Sequence, residues 1–468
     1  MRIALINTNR IQPPVAPIGL DYVAEALHAA GQSVELLDLC WEEDPGAAII
    51  RFFGASEFDL VGMTLRNTDD CAFTSRQSFL PGFVELVKTV RENAGAPIVL
   101  GGVGFSVMPE QILTLADTDF GVWGEGEFAL PALASFLEKK EPLHQIPGLI
   151  WRHDGILRRN PPSFGSLAAL PAMSRKWVDN QRYFRMGGQA GFETSRGCSS
   201  RCIYCADPQA KGRKVRLRPA AAVANELESL IGQGIDALHT CDGEFNTTES
   251  HALEVCREII RRGLGSRMRW YAYCSPAPFS QELARAMRKA GCMGIDFGAD
   301  HGNDLMLKRL GRDFGAADIL NATRWTKEEG MAVMLDLLLG SPGETREGIE
   351  QTVEVVRQAA PDRVGVSLGI RIYPETELAG QVLLKEHNSG LTGGSSISDP
   401  IFFMEPKIAP SVFDWLNTLI GNDSRFLFFD PSRPNQNYNY NSNQRLVEAI
   451  QQGYRGAFWD ILMKYAPR

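Results

Sequence analysis

The 468-residue chain is 44% hydrophobic and 22% charged and carries a formal net charge of −8, so it is long enough for two or three full-sized cores and has no overall positive field to gather nucleic acid. No apolar run approaches the ~20 residues of a membrane span, and the opening Met1-Arg-Ile-Ala-Leu-Ile-Asn7 stops too early for a signal-peptide core. Of nine cysteines, three are clustered and six are scattered through apolar surroundings, the usage of a reducing compartment; a cytoplasmic monomer is expected, with no nucleic-acid or membrane partner.

From the amino terminus, residues 2–6 are a short apolar run ending in Asn7-Thr-Asn9, followed by a Pro-rich loop and a helical pattern over 18–27 that Gly31 closes. Apolar runs at 34–37, 60–65 and 97–102 alternate with helical stretches near 47–53, 81–93 and 109–115, and a fifth run ends in Gly124-Glu-Gly-Glu127 before another helix. Strands alternating with helices predict a parallel sheet with right-handed crossovers, here a Rossmann-like domain over residues 1–139. Ligands of such sheets lie outside the carboxyl ends of the strands, where glycine lets backbone come close. That makes Asn9, Thr64, Arg66, Gly101, Gly102, Gly104, Gly124, Glu125 and Gly126 the candidate contacts. No Gly-x-Gly-x-x-Gly follows the first strand, which disfavours a dinucleotide.

Residues 140–189 read as a connector with a β-hairpin turning at Asp154-Gly155. From residue 190 the alternation restarts with the stretch Glu193-Thr-Ser-Arg-Gly-Cys-Ser-Ser-Arg-Cys-Ile-Tyr-Cys205. Three thiols at this spacing, Cys198, Cys202 and Cys205, can converge on one 4Fe–4S cluster from a single loop and leave its fourth iron open for a ligand. A zinc knuckle would need a fourth donor at matching spacing, and the next are His239 and Cys241, far downstream. Then come a helix over 219–233, a strand over 237–241 with the turn Asp242-Gly-Glu-Phe-Asn246, and strands ending near 271–275, 294–298, 335–340 and 364–373. Six strands predict a partial (β/α)6 barrel over 190–384, with Tyr271, Tyr273 and Asp296 at the mouth where barrel ligands bind. Beyond 384 an α-rich region, with a helix near 410–420 and a terminal helix over 443–465, is expected to cap that mouth; the Asn/Tyr/Gln-rich stretch 435–444 stands out only as composition.

The Cys-x3-Cys-x2-Cys run, with aromatic Tyr204 before its last thiol, resembles the signature of the radical S-adenosylmethionine (SAM) enzymes. Pro17-Ile-Gly-Leu20, the strand end Leu100-Gly-Gly102 and Gly124-Glu-Gly-Glu127 are similar to the cobalamin-binding domain that precedes many radical SAM barrels. The chain departs from cobalamin domains that ligate cobalt through Asp-x-His-x-x-Gly: that motif is absent and the first domain offers only His28, mid-helix. Thr64-Leu-Arg-Asn-Thr-Asp69, Trp177-Val-Asp-Asn-Gln-Arg-Tyr-Phe184 and Gly187-Gly-Gln189 resemble the tryptophan 2-C-methyltransferase-like branch of the cobalamin-dependent radical SAM (class B) methylases, in which an arginine lies beneath cobalt. The alternative for Arg66 is a surface pair with Asp69 or Asp70.

The resemblance implies three cofactors: a 4Fe–4S cluster on Cys198, Cys202 and Cys205 shielded by Tyr204, SAM, and cobalamin above Arg66. Asp242-Gly243-Glu244 stands where the family binds the SAM ammonium, with Glu244 the candidate carboxylate and a helix N-cap acid its alternative. Arg371 is a candidate partner for a SAM or substrate carboxylate, or else a barrel-end ion pair; Tyr271, Tyr273 and Asp296 are candidate substrate or ribose contacts. The activity implied is methyl transfer to a weakly nucleophilic carbon of a small molecule, with electrons from a flavodoxin- or ferredoxin-like donor. Cys205-Ala-Asp-Pro208 and Cys241-Asp-Gly-Glu-Phe-Asn246 are also similar to arsinothricin-forming relatives, which leaves 3-amino-3-carboxypropyl transfer open. A non-catalytic cobalamin or iron–sulfur sensor is the reading from another class.

Overall fold

The computed structural model describes residues 1–139, 142–383 and 388–465; the expected domain boundaries at 139/140 and 384/385 fall on residues outside these ranges. The first sheet contains β1 (Arg2–Asn7), β2 (Ser33–Asp38), β3 (Leu60–Thr64), β4 (Ile98–Gly101) and β5 (Phe120–Val122), all parallel in the order β2-β1-β3-β4-β5. Its crossovers carry α1 (Ile18–Ala29), α2 (Pro45–Ala55), α3 (Leu80–Ala94), the short α4 (Val103–Ser106), α5 (Pro109–Ala116) and α6 (Gly126–Lys139). Strand β1 shows why both faces are covered: Ile3 and Leu5 pack against Leu20, Leu27 and Leu133, while Ala4 and Ile6 face Ile49, Phe83 and Val87. A strand buried on both sides must read as a continuous apolar run, as Ile3 to Ile6 does. The strand order reverses between β1 and β3, which opens the crevice where ligands of such sheets bind.

The hairpin expected in the connector, β6 (Leu149–His153) and β7 (Ile156–Arg159), adds antiparallel to β5 and extends the first sheet to seven strands. Helix α7 (Asn180–Gly187) then leads into β8 (Ala190–Phe192). Two short antiparallel strands, β9 (Ser195–Arg196) and β10 (Arg216–Leu217), frame the cysteine loop and α8 (Asp207–Lys211).

The barrel continues through α9 (Ala220–Gly232), β11 (Ala237–Thr240), α10 (Glu249–Arg261), β12 (Arg269–Cys274), α11 (Gln281–Lys289), β13 (Cys292–Asp300), α12 (Asp304–Arg309), α13 (Ala316–Glu328), β14 (Ala332–Leu339), α14 (Arg346–Ala359) and β15 (Arg363–Leu368). Its six parallel strands run β8-β11-β12-β13-β14-β15, the partial (β/α)6 barrel expected. Period-two alternation sorts each strand. Ile295, Phe297 and Ala299 of β13 join the core under the helices, which leaves Gly294, Asp296, Gly298 and Asp300 facing inward.

Two expectations fail locally, both at glycines with a left-handed backbone. The run 364–373 is not one strand: Gly369 (φ 76°) ends β15, and β16 (Ile370–Arg371) joins a small separate sheet. After α15 (Glu377–Leu383), that sheet is completed by β17 (Leu391–Thr392) and β18 (Phe402–Phe403). Helix α16 (Val412–Ile420) precedes β19 (Phe426–Phe428), a seventh parallel strand beside β15 that the sequence did not suggest. The expected terminal helix is two, α17 (Gln444–Gln451) and α18 (Phe458–Lys464), broken by Gly453 (φ 94°) and Gly456 (φ 133°). The break is a packing device, since a Cβ at Gly456 would lie 2.6 Å from the Tyr271 hydroxyl. Beyond it Trp459, fully buried, fits against Gly294, where a Cβ would lie 2.7 Å from its ring. The C-terminal region therefore fills the barrel beside the first halves of β12, β13 and β14, and reaches the mouth with Tyr440, Leu446, Gly456, Phe458 and Ile461.

Candidate active site

The cysteine loop is shaped by backbone rather than by its thiols. Gly197 takes φ 88°, which turns the chain so that the Cys198 N–H donates to the Gly212 carbonyl at 3.1 Å. The Ile203 N–H donates to the Leu310 carbonyl at 3.0 Å, and a Cβ on Gly311 would run into the Arg201 carbonyl. All three thiols are free and half-buried. Arg312 gathers the surrounding charge: Nη1 donates to Cys202 Sγ at 2.9 Å, Nη2 to the Gly298 carbonyl at 2.6 Å and to Glu244 at 3.2 Å, and Nε lies 3.3 Å from Asp300. Tyr204 donates its hydroxyl to the same Asp300 at 2.6 Å.

Burial pushes the Cys205 thiol up to about 12, and raises that of Cys202 against the pull of Arg312. These thiols therefore hold their protons until a metal displaces them. Among the described residues no group of three His, Cys, Asp or Glu side chains is preassembled round a single ion site, the three loop thiols included. Three soft donors on one loop, with a guanidinium to offset their charge, fit an iron–sulfur cluster.

Beside this loop the carboxyl ends of both sheets enclose a cavity of about 490 Å³. The first sheet contributes Asn7, Thr64, Arg66, Gly101, Gly102 and the Gly124-Glu-Gly126 turn to its wall. Gly102 (φ 99°) would place a Cβ 2.5 Å from the Leu65 carbonyl oxygen, so here only glycine lets the backbone pack against the end of β3. Arg66 is held by bonds from Nη1 to Asn67 Oδ1 at 2.7 Å and to the Tyr440 hydroxyl at 2.9 Å, with Tyr440's ring 5.6 Å away. It makes no ion pair among the described residues: Asp69 pairs with Arg371 at 2.9 Å and Asp70 accepts from Ser75 at 2.5 Å. The surface-pair alternative is thus not what the structure shows. Burial works against the charge of Arg66, yet Tyr440 holds its pKa above the ordinary value, so it stays cationic. A glycine-edged slot whose first-domain wall offers a cation and no imidazole fits a cobalamin without a histidine ligand from that domain.

The other candidates divide. Tyr273 and Asp242 stand on the cavity wall, but both oxygens of Asp242 are engaged by Thr194 and Ser195, at 2.7 to 2.9 Å. Glu125 is held between Arg216 at 2.6 Å and Arg196 at 3.3 Å. Gly104 packs behind the wall, where a Cβ would meet the Asn67 N at 2.9 Å. Asn9 turns its own loop by accepting from the Ile11 N–H, and Asn7 takes the wall position instead. Glu244 and Tyr204 lie on the cluster side with Arg312. Asp296 is fully buried, inward on β13, with both carboxylate oxygens unpartnered; burial and neighbouring Asp336 raise its pKa well above normal.

Arg371 is elsewhere. The turn at Gly369 carries it out of the barrel to Asp69 and the carbonyls of Ile372 (2.6 Å) and Ile401 (3.2 Å). It is off the cavity wall, in the barrel-end ion pair that was its alternative. Sequence reasoning missed Arg312, Tyr440 and His239 as site residues. Arg312 lies outside the motifs read from the sequence, Tyr440 in a stretch that stood out only as composition, and His239 entered only as a distant zinc donor.

Comparison with known proteins agrees with this layout. Residues 192–356 match the radical SAM superfamily model and residues 5–134 the B12 binding domain model. The chain is 33% identical over 441 residues to the tryptophan 2-C-methyltransferase of Streptomyces laurentii, covering 81% of this chain and 74% of that protein. It superposes with a TM-score of 0.88 and 29% identity on the radical SAM methyltransferase TsrM from Kitasatospora setae, solved with tryptophan and a SAM analogue bound; the match covers 99% of this chain and 97% of that one. OxsB, a cobalamin-dependent SAM radical enzyme at 17% identity and a TM-score of 0.75, shares the fold.

Proposed function

We propose, from the premise that the chain belongs to the cobalamin-dependent radical SAM methylases, that its acceptor is tryptophan or a small heteroaromatic molecule of the same kind. The enzyme transfers a methyl group from SAM to carbon, with a 4Fe–4S cluster and cobalamin as cofactors. The observation that carries the acceptor reading is the aromatic lining of the cavity: the rings of Tyr273, Tyr440 and Phe458 stand on its wall, a surface suited to a flat apolar ring. The tryptophan-bound relative, matched over nearly its whole length, supports the same choice.

When bound, the cluster supplies an open iron for SAM and cobalamin a carrier for its methyl group. The residues do the rest. Cys198, Cys202 and Cys205 would hold the cluster, and Arg312, bonded to Cys202 and Glu244, would offset thiolate charge and position the Glu244 carboxylate, the candidate for the SAM ammonium. Arg66, held by Tyr440 on the cavity wall, would face a bound cobalamin as a cation with no lone pair to give. The cap residues Tyr440 and Phe458 exclude water. An external low-potential donor of the flavodoxin or ferredoxin type and a monomeric state complete the proposal.

The experiment is anaerobic reconstitution with iron, sulfide and cobalamin, followed by turnover of SAM with tryptophan and mass spectrometry of both products. S-adenosylhomocysteine with a carbon-methylated tryptophan is expected. Methylthioadenosine as coproduct would mean aminocarboxypropyl transfer, and an unmodified tryptophan beside SAM turnover would remove it as acceptor.

A further inference from the structure

Three cationic side chains stand on the cavity wall: Arg66, Arg196 and Lys211. Arg196 is fully engaged, with Nε on Glu193 at 2.8 Å, Nη1 on Glu125 at 3.3 Å and Nη2 on Glu127 at 2.6 Å. Arg66 belongs to the cobalamin side and is held by Asn67 and Tyr440. Lys211 is different. Its ammonium has three N–H donors, and among the described residues its one charged partner is Asp207, whose Oδ2 lies 3.1 Å away. The side chain is 23% exposed, and its place on the wall turns that exposed part toward the cavity. Burial works against its charge, but Asp207 and Glu193 hold its pKa above the ordinary value, so it stays cationic.

Helix α8 puts this ammonium where the two sheets meet. One turn before it, Asp207 lies beside the Asp242-Gly-Glu244 turn of the barrel, where a Cβ on Gly243 would be 3.5 Å from Oδ2. Just before it, the Ala210 carbonyl lies 3.8 Å from the place of a Cβ on Gly124, at the edge of the first sheet. Lys211 thus stands between the candidate SAM turn and the candidate cobalamin edge, beside Glu193 on the same wall. A bare carboxylate brought to Lys211 would meet two acids, Asp207 and Glu193, at close range. A zwitterion would not, since its own ammonium is drawn to those acids. We infer that Lys211 Nζ binds the α-carboxylate of an amino-acid ligand in this cavity, with Asp207 and Glu193 beside the α-ammonium. Two ligands carry that group: the methionyl end of SAM, and tryptophan, whose part rests on the acceptor reading above. Of the cations on the wall, Lys211 has donors to spare at the junction of the two halves, where a methyl donor and its acceptor must both come.

The test uses reconstituted holoenzyme and compares dissociation constants within two pairs: tryptophan against tryptamine, and SAM against decarboxylated SAM. In at least one pair wild type is expected to prefer the carboxylate-bearing member tenfold or more, the scale of roughly one charge-assisted hydrogen bond. Lys211→Met is expected to abolish that preference and Lys211→Arg to keep most of it; the pair that responds identifies the ligand. Indole-3-propionate, which has the carboxylate without the ammonium, is expected to bind more weakly than tryptophan if tryptophan is that ligand. A wild type with no preference in either pair overturns the inference whether or not the variants fold. Lys211→Met that keeps every wild-type preference overturns it too, as does a Lys211→Met protein whose sole loss is bound cobalamin. A wild type that binds no indole but loses its preference for SAM in Lys211→Met removes tryptophan as acceptor and upholds Lys211 as the carboxylate anchor.

Discussion

Two arginines carry most of the site's electrostatics, and each is tied to a different function by its partners. Arg66 has aromatic and amide partners and no acid, so its charge acts on the cavity. Arg66→Ala is expected to leave SAM binding in place and lower methyl transfer about 100-fold, the scale at which a preorganised charge is lost; quantifying S-adenosylhomocysteine against bound SAM checks the split. Arg312 instead closes a group of Cys202, Glu244 and Asp300, with side chains 6% to 15% exposed for the three charged residues. Arg312→Ala would leave two buried carboxylates without a cation, expected to cost about 3 kcal/mol. Denaturant titration of the apo protein, with iron content after reconstitution, reads that loss; a variant as stable as wild type and with full iron would show that neither acid depends on it.

At the level of elements, the domains are locked by a buried ionic group between α1 and α9. Arg175 donates from Nε to Asp21 at 2.8 Å and from Nη1 to Glu226 at 2.7 Å, and Arg218 reaches the same Glu226 at 2.6 Å. Tyr22 adds its hydroxyl to Glu226 at 2.7 Å, and all of these side chains are 3% exposed or less. Two cations and two anions balance, so removing one partner is what costs. Arg175→Ala is expected to destabilise the fold by about 3 to 5 kcal/mol and, because α1 belongs to the first sheet and α9 to the barrel, to broaden the thermal transition into two. Calorimetry would show it, and a single sharp transition at the wild-type temperature would contradict it. The Pro-rich loop before α1 also packs on the end of α7, where a Cβ at Gly187 would run into the Pro14 carbonyl.

On the scale of the whole molecule, the cavity exists only because the carboxyl edges of two parallel sheets face each other, so that a methyl carrier on one can meet a SAM site on the other. The barrel interior beneath it keeps two acids, Asp296 and Asp336, side by side. Burial pushes Asp336 up to about 7 and raises Asp296 in the same direction. Unfolded, both ionise near pH 4. Between about pH 4 and 7 the folded chain holds protons the unfolded chain has released, so the pair's contribution falls as pH rises through that window. Asp336→Asn is expected to flatten this slope in denaturant titrations run from about pH 4 to 8; a slope as steep as wild type would place the proton elsewhere. None of the helices among the described residues is long and apolar enough to cross a membrane.

Local chemistry was enough to read the strand and helix alternation, the cluster triad, the glycine-edged strand ends and Arg66, because each rests on near neighbours in the chain: period-two burial, a three-cysteine spacing, a turn that tolerates only glycine. Pairings across long separations were decided by the tertiary structure. Nothing in residues 435–444 announces that Tyr440 will meet Arg66, 374 residues away in sequence, or that Arg371 will be drawn to Asp69 once Gly369 has turned the chain. Side-chain identity fixes what a group can do, whereas its partners, which only packing supplies, fix what it has left to offer a ligand.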